Sequence, residues 1–259
     1  METILYKLEE GIATITINCP QVLNALGAVA VDELTRLLQR AESEKEVLCV
    51  VINAAGEKAF CAGGDIKSEV HMDGYSSCEF SIKGQNLIRT IRNLRMPVIV
   101  AAHGYVLGAG MEIVLASDFA FLSNDAQLAI PSINLGSMNG FGGTQLLPRV
   151  VGAMRAKEIL MSGCYIGAEK AVALGLALKA VERDALMSEA CSFAKLLTSK
   201  APFALRCIKT AVNKAMDLDL ETGFIMETQL FSRVQASEDK QEAMNAFLNK
   251  CTPGTFVNR

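Results

Sequence analysis

Glu112 is a carboxylate in an otherwise apolar stretch that runs through Leu115, and Gly104, Gly108 and Gly110 fall within the seven residues 104–110 just ahead of it. A charged side chain in such surroundings is costly unless it is paired or put to use. The glycines let the backbone turn with little side-chain bulk. From Ala109 a helical pattern takes over, with Glu112 in its first turn. Unpaired N–H groups and the dipole at a helix start favour negative charge nearby. The chemistry this combination suggests is an oxyanion held on backbone N–H groups while Glu112 moves a proton.

The elements that must position these residues follow from hydrophobic spacing. Pro97-Val98-Ile99-Val100 reads as a buried strand leading into the glycines. Ile12–Ile17 alternates as a strand with one buried face, residues 29–38 carry an amphipathic helical spacing, and Val47–Ile52 is a continuous apolar run typical of a strand covered on both faces. A second glycine loop follows, Ala59-Phe60-Cys61-Ala62-Gly63-Gly64-Asp65-Ile66. Residues 70–78 are polar and irregular and are expected as a mobile loop, with a helix from about Cys78 to Arg95 ended by Pro97. Short strands are expected at Phe119–Leu122, Gln127–Ile130 and Leu176–Val181. A third glycine loop, residues 136–143, runs into a helix at Thr144. Beyond Pro202 the pattern gives three helices, over 202–217, 219–235 and 238–250, with Ser237 as N-cap of the last. Strand, glycine turn and short helix recur without a sharp repeat, which suggests a layered α/β coil of small units.

The totals narrow the function. At 259 residues with 51% hydrophobic content the chain can bury a large core. A net charge of −3 argues against nucleic-acid or anionic-membrane binding. No apolar run reaches the length of a membrane span, and Met1-Glu2-Thr3-Ile4 does not open a secretion signal. The eight cysteines form no C-x-x-C pair and read as reduced thiols, so the expected setting is cytoplasmic. Two histidines, His71 and His103, leave no basis for a metal site, and His103 is expected as a satisfied core residue. The dinucleotide fingerprint fails because Ile113 stands where its third glycine belongs, and no phosphate loop or nucleophile elbow is present. What remains is two glycine-flanked loops, around Ala62 and Ala109, each able to offer a backbone N–H to one oxyanion.

Four ordered segments carry a resemblance. Asn24-Ala25-Leu26, Ala59–Ile66, Gly104–Glu112 and Gly142-Gly143-Thr144-Gln145 resemble the enoyl-CoA hydratase/isomerase (crotonase) superfamily, in pattern the bacterial enoyl-CoA hydratases, and the likeness runs nearly end to end. It implies an α/β fold: a crotonase-like spiral of ββα units over 1–200 for acyl-CoA binding and catalysis, and a C-terminal all-helical trimerisation region over 201–259. It also implies a homotrimer or a dimer of trimers (homohexamer), with no nucleic-acid or membrane partner. The substrate would be an acyl-CoA, its thioester oxygen held by the backbone N–H groups of Ala62 and Ala109. No separate cofactor or metal is implied, since coenzyme A enters as part of the substrate. The segment Ala62, Gly63, Gly64, Asp65, Ile66 and Lys67, with Phe247 and Lys250 near the C-terminus, matches CoA-binding positions.

Family hydratases use two glutamates to add water across a double bond. Glu112 matches the first, but Ser132 stands at the second. A hydroxyl can orient water yet cannot share proton transfer near pH 7 as a carboxylate does. The implied activity is therefore a lyase hydrating or dehydrating an α,β-unsaturated acyl-CoA, including conjugated dienoyl thioesters of fatty or aromatic acid metabolism, with Ser132 or Asn139 placing the water. Decarboxylation or double-bond isomerisation on the same scaffold is the alternative reaction, and a catalytically silent acyl-CoA-binding protein is the alternative of another class.

Overall fold

The computed structural model describes residues 3–254, 256 and 257. β1 (Ile4–Glu9) and β2 (Ile12–Ile17) form an antiparallel hairpin, followed by α1 (Ala28–Ser43). Three units then repeat one plan. The first comprises β3 (Cys49–Ala54), β4 (Ala59–Cys61) and the helices α2 (Ile66–Glu69) and α3 (Gly74–Asn93). The second comprises β5 (Val98–Ala102), β6 (Tyr105–Leu107) and α4 (Ala109–Ala116); the third, β7 (Phe119–Ser123), β8 (Gln127–Ala129) and α5 (Gly143–Val151). The chain continues through α6 (Ala153–Ser162), β9 (Ile166–Gly167), α7 (Ala168–Ala173), β10 (Lys179–Val181) and α8 (Leu186–Thr198). It closes with α9 (Pro202–Lys214), α10 (Leu220–Gln235) and α11 (Glu238–Leu248).

Each unit gives its first strand to a six-stranded sheet, ordered β1-β2-β3-β5-β7-β10, and its second to a four-stranded sheet, ordered β4-β6-β8-β9. Between successive units all these pairings are parallel. The result is the expected α/β spiral of ββα units with an all-helical C-terminal end. Both faces of the large sheet are covered. Val50 and Ile52 of β3 pack with Leu34, Leu38, Leu87 and Ile91 of α1 and α3, while Cys49 and Val51 pack with Ala190 and Ala194 of α8. Coverage on both sides is why β3 reads as an unbroken apolar run rather than an alternating one.

Several elements differ from expectation. β1 lies outside the expected strands; its Ile4, Tyr6 and Leu8 face one way, but an exposed Leu5 on the other face blurs the alternation that marks β2. β6 hides between the glycines of the Gly104–Gly110 stretch. Helix α3 begins at Gly74, not Cys78, because Asp73 caps it. Ser76 N donates to Asp73 Oδ1 at 2.8 Å and Asp73 N donates to Ser76 Oγ at 2.9 Å, a reciprocal cap that makes much of the expected loop helical. Ser237 caps α11 as expected, accepting from Lys240 N at 3.2 Å.

The first helix beyond residue 200 is stitched to the core. Lys209 Nζ of α9 pairs with Asp118 Oδ2 at 2.6 Å and donates to Met96 O at 3.0 Å, while Asp118 Oδ2 also accepts from Val98 N at 2.7 Å. By contrast α10 contains no buried residue.

Candidate active site

The three loops that carry the sequence motifs leave adjacent parallel strands at their carboxyl ends: Ala62–Asp65 after β4, Gly108 after β6, and the segment from Ile130 after β8. In parallel α/β sheets that edge is where ligands sit, because loops there are free to vary over a fixed scaffold. The first two loops touch backbone to backbone. A Cβ on Gly108 would lie 3.3 Å from Gly63 Cα, and Gly108 itself has φ 47°, so side chains at this crossing would push the loops apart. Asn24 fixes the base of the first loop, its Nδ2 donating to Ala55 O at 2.9 Å and Ala59 O at 2.8 Å.

Around these loops lies a cavity of about 250 Å³. Its walls include Ala62, Gly63, Gly64, Ala109, Glu112, Ser132 and Asn139, together with Ile66, so most of the expected site residues converge. Asp65 and Lys67 belong to the first turn of α2 but do not line it, and neither do Phe247 and Lys250 beyond or at the end of α11. Phe247 is 83% exposed. A second, largely apolar cavity of about 460 Å³ shares the wall formed by Ser132, Ser137, Met138 and Asn139 and extends toward Ala156 and Leu160.

Glu112 is 2% exposed. Its Oε1 accepts three hydrogen bonds, from Gly143 N at 2.7 Å, Phe141 N at 3.1 Å and Asn139 Nδ2 at 3.1 Å. Burial pushes the carboxyl above its ordinary range, and these donors pull it partly back by favouring the charged form. All three act on the same oxygen. Gly143 has no room for a side chain here, since a Cβ would stand 2.6 Å from Asn139 Nδ2 and 3.1 Å from Glu112 Oε1. Asn139 thus holds Glu112, a part the sequence alone does not reveal.

One expected donor needs correction. Ala62 N donates to Leu23 O at 3.0 Å, so that amide is committed to the fold. The chain then turns at Gly63, φ 106°, and the amide of Gly64 has no acceptor among the described residues. Ala109 opens α4, and its N–H likewise has no acceptor among them, as expected of a first helical residue. The open amides beside the cavity therefore belong to Gly64 and Ala109. The signal that separates Gly64 from Ala62 is the carbonyl of Leu23, 39 residues earlier in the chain, and no local pattern announces it.

His103 is buried as expected, but its Nε2 has no hydrogen-bond partner among the described residues. Burial, then the nearby Arg183 guanidinium, lowers its pKa to about 4, so the ring is neutral at pH 7 and lies outside the cavity lining.

Loops from three parallel strands of a ββα spiral, meeting at a buried carboxylate and an open helix-start amide, define the crotonase class of protein. An enoyl-CoA hydratase/isomerase family model matches residues 7–256, and the chain belongs to that family. It is 36% identical over 259 residues to a short-chain-enoyl-CoA hydratase of Clostridium acetobutylicum, covering 100% of this chain and 99% of that protein. It is 34% identical to a crotonyl-CoA hydratase of Syntrophomonas wolfei, with 96% of each covered. An enoyl-CoA hydratase structure from Bacillus anthracis superposes with a TM-score of 0.95 at 32% identity, covering 100% of both chains.

Proposed function

We propose that this protein is a hydro-lyase that adds water across the double bond of an α,β-unsaturated acyl-CoA, or removes it, through an enolate whose oxygen rests on the amides of Gly64 and Ala109. The observation that carries the reading is Glu112. A carboxylate is buried at the cavity wall with one oxygen fixed by three N–H donors, one helical turn from a helix-start amide that has no acceptor among the described residues. Fixed donors aimed at charge that develops only in the transition state stabilise it more than the neutral thioester, and losing one elsewhere costs on the order of 10²–10³ in rate. Glu112 Oε2 takes the proton from water. Ser132, which shares the cavity, helps to place that water. The coenzyme A moiety runs from the Gly63–Lys67 segment outward, and Phe247 and Lys250 meet it from a neighbouring subunit of a trimer or hexamer. No separate cofactor takes part.

The reading extends to short enoyl and conjugated dienoyl thioesters, with the second cavity as room for longer acyl groups. Eight free cysteines fit the expected cytoplasmic setting, and among the described residues no helix is long and apolar enough to cross a membrane. The test is turnover of crotonyl-CoA, a cyclic dienoyl-CoA and methylmalonyl-CoA by the wild type and Glu112→Gln. Hydration of an enoyl substrate with a kcat loss of roughly 10²–10⁴ in the variant is expected. Turnover of methylmalonyl-CoA alone moves the protein to the decarboxylases, and binding without any turnover makes it a silent acyl-CoA carrier.

A further inference from the structure

Hydration needs two proton movements, one off water and one onto the acyl Cα. Glu112 can serve one of them. Ser132 cannot serve the other, because its hydroxyl does not ionise near neutrality. The cavity holds a second carboxylate that none of the motifs singles out. Glu69 closes the one-turn helix α2, which Asp65 caps directly after the Gly63-Gly64 turn. Its side chain folds back over that turn, so that a Cβ on Gly64 would overlap Glu69 Oε1. Gly64 is the residue whose amide stands open beside the cavity. Glu69 and Glu112 are the two ionisable side chains among the lining residues. The Glu69 residue is solvent-exposed, and its carboxylate makes no hydrogen bond or ion pair among the described residues, so it is open to the cavity rather than tied to the fold. What singles out Glu69 is position: an untethered carboxylate on the cavity wall, folded over the residue whose amide stands open, is free to meet a bound acyl group.

We infer that Glu69 is the second proton-transfer residue of this site, exchanging a proton with the acyl Cα while Glu112 works on water. The inference rests on the hydration reading above and supplies the carboxylate that Ser132 does not. In the forward direction Glu112 takes a proton from water, the water oxygen bonds to Cβ, the π pair of the Cα–Cβ bond moves toward Cα and the thioester oxygen, and Glu69 gives its proton to Cα. Glu112 then releases its proton to solvent and Glu69 takes one up, which restores both groups. Partial burial of the carboxylate, then the nearby Asp65, pushes the Glu69 pKa above its ordinary value, in the direction a proton donor needs. Among the described residues of the cavity wall, the other ionisable group is Glu112.

The experiment compares wild type, Glu69→Gln, Glu69→Asp and Glu112→Gln in crotonyl-CoA hydration and in incorporation of solvent deuterium at Cα of 3-hydroxybutyryl-CoA. The expected result is a kcat loss of about 10² or more in Glu69→Gln with KM within about threefold, an equal loss of Cα exchange, and partial recovery in Glu69→Asp. A merely structural Glu69 would move KM or folding without removing Cα exchange. If Glu112→Gln is inactive while Glu69→Gln stays within about threefold of wild type in both assays, the inference about Glu69 is overturned and the hydration reading survives. If the wild type neither hydrates nor exchanges, the hydration reading falls and takes this inference with it.

Discussion

At the scale of single residues, the site turns on how one buried carboxylate is kept usable. Glu112 can accept a proton only when ionised, and burial opposes ionisation. Three donors to Oε1 oppose burial. The sign follows directly: the carboxyl pKa is raised, so activity is present above it and lost as pH falls through it. Removing the Asn139 donor leaves burial less opposed and raises the pKa further. Asn139→Ala is expected to shift the acid limb of kcat/KM to higher pH, with a larger rate loss at pH 6 than at pH 8, as a pH–rate profile on an enoyl-CoA would record. An unmoved acid limb would show that Asn139 does not act through Glu112. Glu112 itself was legible in the sequence, because a lone carboxylate in an apolar helix is expensive enough to draw notice. Its partners were not, since Asn139, Phe141 and Gly143 lie 27, 29 and 31 residues on and meet it only through the fold. Gly64 was named only as a neighbour of CoA, and the choice between its amide and that of Ala62 depended on the distant carbonyl of Leu23.

At the scale of elements, the spiral works by sending each unit's second strand to one small sheet, so that three loops share an edge. Hydrophobic patterning found α1 and β2, which bury a regular stripe, and β3 and β5, which are apolar because both their faces are covered. It missed β6, where three residues between glycines hold strand geometry only by pairing with β4 and β8, and it started α3 late because the Asp73–Ser76 cap lies in a polar stretch. The frame is also braced from outside. The Lys209–Asp118 pair ties α9 to the start of β5 and the end of α4, with side chains 9% and 16% exposed. Burial lowers the lysine pKa and raises that of the aspartate, which marks how much each ion depends on the other. Removing one member of a buried pair typically costs about 3–5 kcal/mol, because the partner is left charged and unmatched. Lys209→Met is therefore expected to lower stability by about that amount in urea unfolding, and Lys209→Met combined with Asp118→Asn to lose less than the single change. A single variant within about 0.5 kcal/mol of wild type would mean the pair is effectively solvated.

At the scale of the whole molecule, the single chain leaves two things unfinished. Helix α10 buries none of its residues, although Leu220, Phe224 and Phe231 fall at spacings of four and seven along it and all are more than half exposed. Residues so spaced lie on one face of a helix, and an apolar stripe of that kind is stable only when something covers it. The second unfinished feature is the proposed CoA contact of Phe247 and Lys250, which do not line the cavity of their own chain. A second copy of the chain would answer both, with α10 covered at the interface and the end of α11 brought to a neighbour's cavity. The expected solution mass is accordingly near three or six times the 27.8 kDa of one chain. Replacing Phe224 and Phe231 together by Glu places two charges in that stripe, and burying an unpaired charge costs several kcal/mol. Sedimentation of the double variant should show smaller species, and its KM for an acyl-CoA should rise while its circular dichroism stays that of a folded α/β protein. A wild-type monomer at micromolar concentration, with full activity, would assign Phe247 and Lys250 to the surface and leave CoA to the cavity loops alone.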